Sequence, residues 1–116
     1  MDHALDTTVR LLDALNCGAL LIDRSGRIDH ANKRLCEMMQ LSADKIIGRR
    51  VIDFYPTDDG KNFITQRMAA FDQAHEGEFF LPRPDGSQLP VIISSRPLGA
   101  TPPLSDHRLI TAIDLA

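Results

Sequence analysis

The sequence is poor in the residues that usually hold a small secreted or metal-stabilised domain together. Its 116 residues include two cysteines, Cys17 and Cys36, and no tryptophan. The two thiols have neither C-x-x-C nor zinc-finger spacing, so neither a disulfide framework nor a structural metal site is predicted. We therefore expect one domain that is stabilised by a single hydrophobic core, in a reducing, cytoplasmic compartment.

A long apolar run and an excess of basic residues are also absent. No stretch approaches the ~20 apolar residues that a membrane span needs. The first eight residues lack the basic start and apolar centre of a signal peptide. The formal net charge is −3, whereas nucleic acid and anionic membranes call for a basic field, so neither is an expected partner. The chain begins on a helical pattern and stops after a strand-like run, so we expect a piece of a longer protein.

The N-terminal segment carries an apolar stripe at helical spacing. Leu5, Val9, Leu12 and Leu15 recur along residues 4–15 and predict an amphipathic helix. A helix this short is marginal in water unless its apolar face is buried. We expect it to lie on a sheet face that the domain's other helices leave free, and to meet a second copy there across a two-fold axis. The predicted division is thus 1–16 for this helix, the dimer contact, and 17–116 for the domain.

The next segment predicts a hairpin that leads into a helix. "GALLID" is followed by the turn "DRSG" and the alternating run "RIDHA". Gly26 is the expected corner, because glycine accepts the positive φ that closes such a turn. Asn32 is the expected N-cap of the helix that follows, whose buried side is Leu35, Cys36, Met38 and Met39.

Further helices and then three strands follow. A short helical turn is expected to begin at Ser42 or Asp44 and to end at Gly48, and a long helix to begin at Thr57 or Asp58 and to end at Gly77. "PDGS" predicts a turn between two strands. The last strand, apolar at Leu109, Ile110, Ala112 and Ile113, lacks alternation, which predicts a central strand covered on both faces. Helices and strands in blocks indicate the α+β class with an antiparallel sheet.

This order of elements resembles the PAS (Per-Arnt-Sim) domain family over nearly the whole chain. The residues that carry the resemblance are "LLIDRSGRIDHAN" (20–32), "ADKIIGRRVIDFYPTDD" (43–59), "PDGSQLPVIISSRPL" (84–98) and "ITAIDLA" (110–116). The resemblance implies a five-stranded antiparallel sheet in the order 2-1-5-4-3. It also implies helices packed on one face and the amphipathic N-terminal helix on the other.

The resemblance implies a sensory and dimerisation module rather than an enzyme. Such domains bind a small molecule or cofactor between sheet and helices, or bind none, and relay the change to an output domain. The implied context is a bacterial-type signalling protein: a histidine kinase, a cyclic-dinucleotide enzyme or a transcription regulator. Family members end their last strand in Asp-Ile-Thr; here Asp114 matches, which makes it the expected relay residue. The alternative is a ligand-free structural dimerisation module with a filled core.

Cofactor chemistry finds little support in the sequence. By resemblance, flavin photochemistry needs a Gly-x-Asn-Cys motif, and residues 48–51 read Gly-Arg-Arg-Val. Haem-binding members use a histidine on the long helix, so His75 is the candidate for a less favoured haem-sensor alternative. A histidine near a helix C-terminus is also favoured by the helix dipole alone. No metal-ligand spacing links the other histidines. We therefore expect neither a cofactor nor a metal.

A set of apolar side chains is expected to converge between helices and sheet, where it either fills the core or lines a cavity. Its members are Met38, Met39, Ile47, Val51, Phe54, Phe63, Ile64, Met68, Phe79, Leu81, Val91 and Ile93. Methionine suits a surface that must adapt to a guest. Ser95, in register with Val91 and Ile93, places a hydroxyl on the same face. Both features favour a cavity for a small, mostly uncharged ligand.

Overall fold

Five strands form one antiparallel sheet in the order β2-β1-β5-β4-β3. The computed structural model describes residues 7, 10, 11, 14, 16–102 and 104–115. The strands are β1 (Gly18–Asp23), β2 (Ile28–Ala31), β3 (His75–Pro82), β4 (Gln88–Pro97) and β5 (His107–Asp114). The predicted class and strand order are confirmed.

The helices lie between β2 and β3 in the chain and cover one face of the sheet, the inner face. They are α1 (Lys33–Met39) and α2 (Asp58–Ala69), with 3₁₀ turns at Ala43–Lys45 and Val51–Phe54 between them. A third 3₁₀ turn, Leu104–Asp106, lies between β4 and β5. The predicted N-terminal dimer contact, Leu5, Val9, Leu12 and Leu15, lies outside the described residues. In the part of the chain that the structure describes, no helix has the length and apolar composition of a membrane span.

The β1–β2 hairpin turns where the sequence predicted it. Gly26 has a φ of +83°, which a residue with a side chain adopts only with strain. The Asp23 carboxylate accepts hydrogen bonds from the backbone N–H groups of Ser25 at 2.8 Å and Arg27 at 3.1 Å. The turn is therefore held by its own first residue as well as by glycine.

Asn32 is the N-cap of α1, as predicted, and it also fastens that helix to the sheet. Its Oδ1 accepts hydrogen bonds from the N–H groups of Leu35 and Ala19, both at 2.9 Å. Its Nδ2 donates to the Cys17 carbonyl at 2.9 Å. The Asn32 residue is 0% exposed, so this one buried amide satisfies backbone groups on both α1 and β1.

The long helix is shorter than predicted. Thr57 caps α2 as expected, its Oγ1 accepting from the Gly60 N–H at 3.1 Å. The helix ends at Ala69 rather than at Gly77, which lies in β3 opposite Ile93. Phe71 fits the apolar spacing of the helix, since it lies eight residues after Phe63, but it is buried in the turn after the helix. The pairing of β3 with β4 overrides the local helical signal over residues 75–77.

The two faces of the sheet are covered to different extents. The inner face carries the main core with α1, and the outer face carries a smaller cluster of Ala19 and Leu21 against Leu98, Leu104 and Leu109. The expectation that β5 is covered on both faces is wrong for Ile113, which is 56% exposed. The segment after β4 covers only the β1 side of the outer face, which is why burial fades toward the end of β5.

Candidate ligand-binding cavity

A cavity of about 100 Å³ lies between the inner face of the sheet and α2. Most of its wall is apolar, and a few polar groups gather at one end. Its lining residues are Leu20, Leu35, Val51, Tyr55, Phe63, Ile64, Arg67, His75, Glu76, Gly77, Glu78, Phe79, Leu81, Ile93, Ser95, Ile110 and Ala112.

The structure brings together about half of the side chains that the sequence placed at a ligand site. Those that line the cavity are Val51, Phe63, Ile64, Phe79, Leu81, Ile93 and Ser95. The others lie elsewhere: Met38, Met39 and Val91 are buried in the core, and Phe54 packs against it. Met68 lines a separate groove near Gly26. Ile47 is 39% exposed.

Strand register explains which residues face the cavity. On the inner face, His75 pairs with Ser95 and Gly77 pairs with Ile93. Alternate residues of a strand share a face, so these positions and Phe79 form one wall. A Cβ built on Gly77 would meet no atom within 4 Å. The missing side chain of Gly77 therefore leaves part of the space that the cavity occupies.

An aromatic group forms a further part of the wall and reaches the polar end, where the Arg67 guanidinium lies 4.7 Å from the centroid of the Phe63 ring. The Phe63 and Phe79 rings stack with centroids 4.1 Å apart, and Tyr55 stacks on Phe79 at 5.1 Å. Tyr55 Oη donates a hydrogen bond to the Phe80 carbonyl at 2.9 Å. Burial raises the pKa of Tyr55, so the phenol stays neutral and keeps this donor. Tyr55, the single tyrosine of the sequence, was not among the residues predicted at the site.

Arg67 and His75 form a linked pair at the mouth of the cavity. Arg67 Nη1 lies 3.0 Å from His75 Nδ1, and His75 Nε2 lies 3.2 Å from the Ala70 carbonyl oxygen. A guanidinium can only donate, so Nδ1 accepts and Nε2 carries the proton that it donates to Ala70. His75 is the first residue of β3 and not a helix residue as predicted. Both ring nitrogens are engaged by the protein, whereas a haem ligand needs one of them for iron.

Ser95 is held by a buried arginine that the sequence analysis did not single out. Arg108, 2% exposed, donates from Nε to Ser95 Oγ and from Nη2 to the Ser95 carbonyl oxygen. Its guanidinium also lies 5.4 Å from the centroid of the Phe71 ring. Arg108 Nη1 is buried without a hydrogen-bond partner among the described residues. Burial lowers the pKa of Arg108, but an arginine side chain remains cationic.

The described residues contain no cluster of metal-binding side chains. Across residues 16–102 and 104–115, no three His, Cys, Asp or Glu side chains are grouped closely enough to hold a metal ion. Cys17 and Cys36 are both half-buried and form no disulfide with each other, and neither lines the cavity. The chemistry of the site is therefore that of a mostly apolar cavity with hydrogen-bonding groups at one end.

Comparison with known proteins identifies the family. The family model of the PAS domain matches residues 16–112, which is most of the chain and includes β1 to β4 and all but the last two residues of β5. The chain therefore belongs to the PAS domain family. No curated protein sequence matches it.

Solved structures of this family share the fold. The LOV protein of Rhodobacter sphaeroides is similar with a TM-score of 0.83 and 16% identity, over 100% of this chain and 69% of that one. The PAS domain of a LuxR-family transcriptional regulator from Burkholderia thailandensis, in complex with ethanol, has a TM-score of 0.72 and 22% identity, and the match covers 99% of this chain and 98% of that one. The PAS domain of the quorum-sensing receptor RpfR from Cronobacter turicensis, in complex with BDSF, has a TM-score of 0.72 and 16% identity, and the match covers 88% of this chain and 96% of that one. Identities this low show a common fold and leave function to the site.

Proposed function

We propose that this domain is the sensory and dimerisation module of a bacterial-type signalling protein, and that it binds a small molecule with an apolar body between sheet and helices. The observation that carries the proposal is the cavity of about 100 Å³ with its largely apolar wall. An apolar cavity of ~150 Å³ binds benzene, so this one suits a guest of roughly four to six non-hydrogen atoms. Two solved relatives hold small molecules, ethanol in one and BDSF in the other, which supports this use of the fold.

Gly77 supplies a direct test of the proposal. Valine at position 77 would project into the cavity, because nothing lies within 4 Å of a Cβ there. Its matched control is Arg96→Val on the neighbouring strand β4. Arg96 is exposed and does not line the cavity, and it points to the face opposite that of its neighbour Ser95, because adjacent residues of a strand point to opposite faces. The probe is 1-butanol, followed by methyl chemical shifts in NMR. We expect it to shift the Ile93 and Ile110 methyl signals in the wild type.

The two variants separate binding in the cavity from binding elsewhere. Gly77→Val should abolish these shifts, and Arg96→Val should retain them. Shifts that survive Gly77→Val would contradict binding in the cavity. A wild type that shows no shifts with 1-butanol would favour the alternative, a ligand-free structural module.

Dimerisation and relay complete the proposed function. The outer face exposes Ile113 at 56% and Leu115 at 46%, apolar surface that a second copy and the predicted N-terminal helix would cover. Asp114 lies 3.8 Å from Arg34 of α1 through its carboxylate, so the proposed relay residue contacts the helical layer beside the sheet. A shift of α1 on ligand binding would change this ion pair at the point where an output domain would follow. The output domain would be that of a histidine kinase, a cyclic-dinucleotide enzyme or a transcription regulator.

A further inference from the structure

The polar groups of the cavity are concentrated at one end of its β3–β4 wall. His75 and Ser95 are partners in the sheet, and Arg67 reaches His75 from α2. The other end is formed by apolar side chains that include Leu81 and Leu35. A guest that matched this wall would have one polar end and one apolar end.

The hydroxyl of Ser95 is set to donate into the cavity. Arg108 Nε occupies a lone pair of Ser95 Oγ, so the hydroxyl proton is available for another acceptor. Ser95 lines the cavity and is only 8% exposed. A hydroxyl that accepts from a cation becomes a stronger donor, because hydrogen bonds in a chain polarise one another. The group it meets in the cavity would therefore be an acceptor.

The charge behind Ser95 has no ion-pair partner among the described residues. No described carboxylate forms an ion pair with Arg108, and Arg108 Nη1 has no hydrogen-bond partner among the described residues. Asp72, whose charge acts on Arg108, forms its own ion pair with Arg24 at 2.9 Å. Buried charges in proteins are normally paired, so Arg108 is short of a counter-charge.

The other charged groups around the cavity do not supply this counter-charge. Arg67 adds a second cation at the same end. Glu76 and Glu78 border the mouth, but both are exposed and alternate with the inward positions of β3. The charged side chains that contact Ser95 and His75 directly are therefore both cations, Arg108 and Arg67.

We propose that the ligand is a short aliphatic monocarboxylate. Its carboxylate accepts the hydrogen bond from Ser95 Oγ, with the positive charge of Arg108 directly behind and Arg67 at the mouth. Its tail, of roughly one to three carbons for a cavity of this size, lies against the apolar wall. This inference rests on the proposed ligand-binding function and refines it by naming the head group.

Three four-carbon probes test the head group by isothermal titration calorimetry at constant pH: butanoate, butanamide and butylamine. Hydrogen bonds to charged groups are about twice as strong as neutral ones, so butanoate should bind about tenfold more tightly than butanamide. Butylamine should show no saturable binding, because its cation faces Arg108 and Arg67.

Two variants place the effect at the proposed groups. Ser95→Ala removes the donor, and Arg108→Met removes the charge while keeping an apolar stem of similar length. Each should weaken butanoate binding by about tenfold. Arg108→Met should leave the affinity for butanamide nearly unchanged, which a general loss of structure would not do.

The outcomes separate this inference from the proposed function. If butanamide binds as tightly as butanoate and Gly77→Val abolishes both, the head group is wrong and the ligand-binding function stands. If butanoate binds but neither Ser95→Ala nor Arg108→Met weakens it, the inference is also overturned. If none of the three probes binds the wild type, and 1-butanol does not bind either, both proposals are wrong.

Discussion

Replacing Asn32 with alanine should destabilise the domain far more than the loss of an ordinary helix cap. The change removes the acceptor for the N–H groups of Leu35 and Ala19 and the donor to the Cys17 carbonyl. Each such hydrogen bond contributes a net ~1 kcal/mol, and a buried group left without a partner costs ~1–3 kcal/mol. We therefore expect Asn32→Ala to lower the free energy of unfolding by about 3 kcal/mol.

The matched control is Thr57→Ala at the start of α2. Thr57 is exposed and its side chain makes one cap bond, to the Gly60 N–H, so its loss should cost ~1 kcal/mol. Urea unfolding followed by circular dichroism gives both free energies, and the melting temperature should fall about three times as far for Asn32→Ala as for Thr57→Ala. Equal losses in the two variants would refute the reasoning, because Asn32 would then act as a cap alone.

Two further predictions concern acid stability and the oligomeric state. Burial raises the pKa of Asp23, but hydrogen bonds from Ser25 and Arg27 outweigh it and hold that pKa below its usual value. A carboxylate whose pKa is lower in the folded state than in the unfolded state stabilises the fold. This contribution to the free energy of unfolding is fully present above the unfolded pKa of ~3.9, and it is lost as the pH falls through the folded pKa. Below about pH 5, the free energy of unfolding should therefore fall less steeply with decreasing pH in Asp23→Asn than in the wild type. The same pH dependence in both proteins would refute this. In sedimentation at tens of micromolar, the wild type should be a dimer, Ile113→Asp a folded monomer and Ile47→Asp still a dimer; a monomeric wild type would contradict the dimer proposal.

The parts of the fold that local chemistry determines were predictable from the sequence. Gly26 and Gly86 both have positive φ at the turns where "DRSG" and "PDGS" placed them. Asn32 precedes its helix as a cap should. The strand order came from the resemblance rather than from any residue pattern, since the pattern alone indicated only an antiparallel sheet.

The end of α2 was not predictable, because tertiary contacts decide it. Phe71 fits the helical period, yet its ring packs beneath the guanidinium groups of Arg24 and Arg108, at 4.9 and 5.4 Å from the ring centroid. Those two arginines lie on distant parts of the chain. Nothing within residues 57–77 indicates that this burial belongs to a turn and not to a helix.

The candidate site was predictable only in its apolar part. Phe63, Ile93 and similar residues are recognisable as inward-facing by their spacing. The polar end is assembled from α2, β3, β4 and β5, and a buried arginine such as Arg108 contradicts the usual preference of that residue for the surface. Sequence reasoning therefore found an apolar lining and missed the charge behind it.

The space left by the missing side chain of Gly77 has a consequence for the evolution of this domain's sequence. Every glycine codon becomes an alanine or a valine codon through one base change at its second position. Glycine weakens a strand, and valine favours it, so that change would both fill the cavity and strengthen β3. Selection for stability alone would therefore favour a larger residue at position 77 and a filled core. An open cavity is expected to persist only where a guest gives the host organism an advantage.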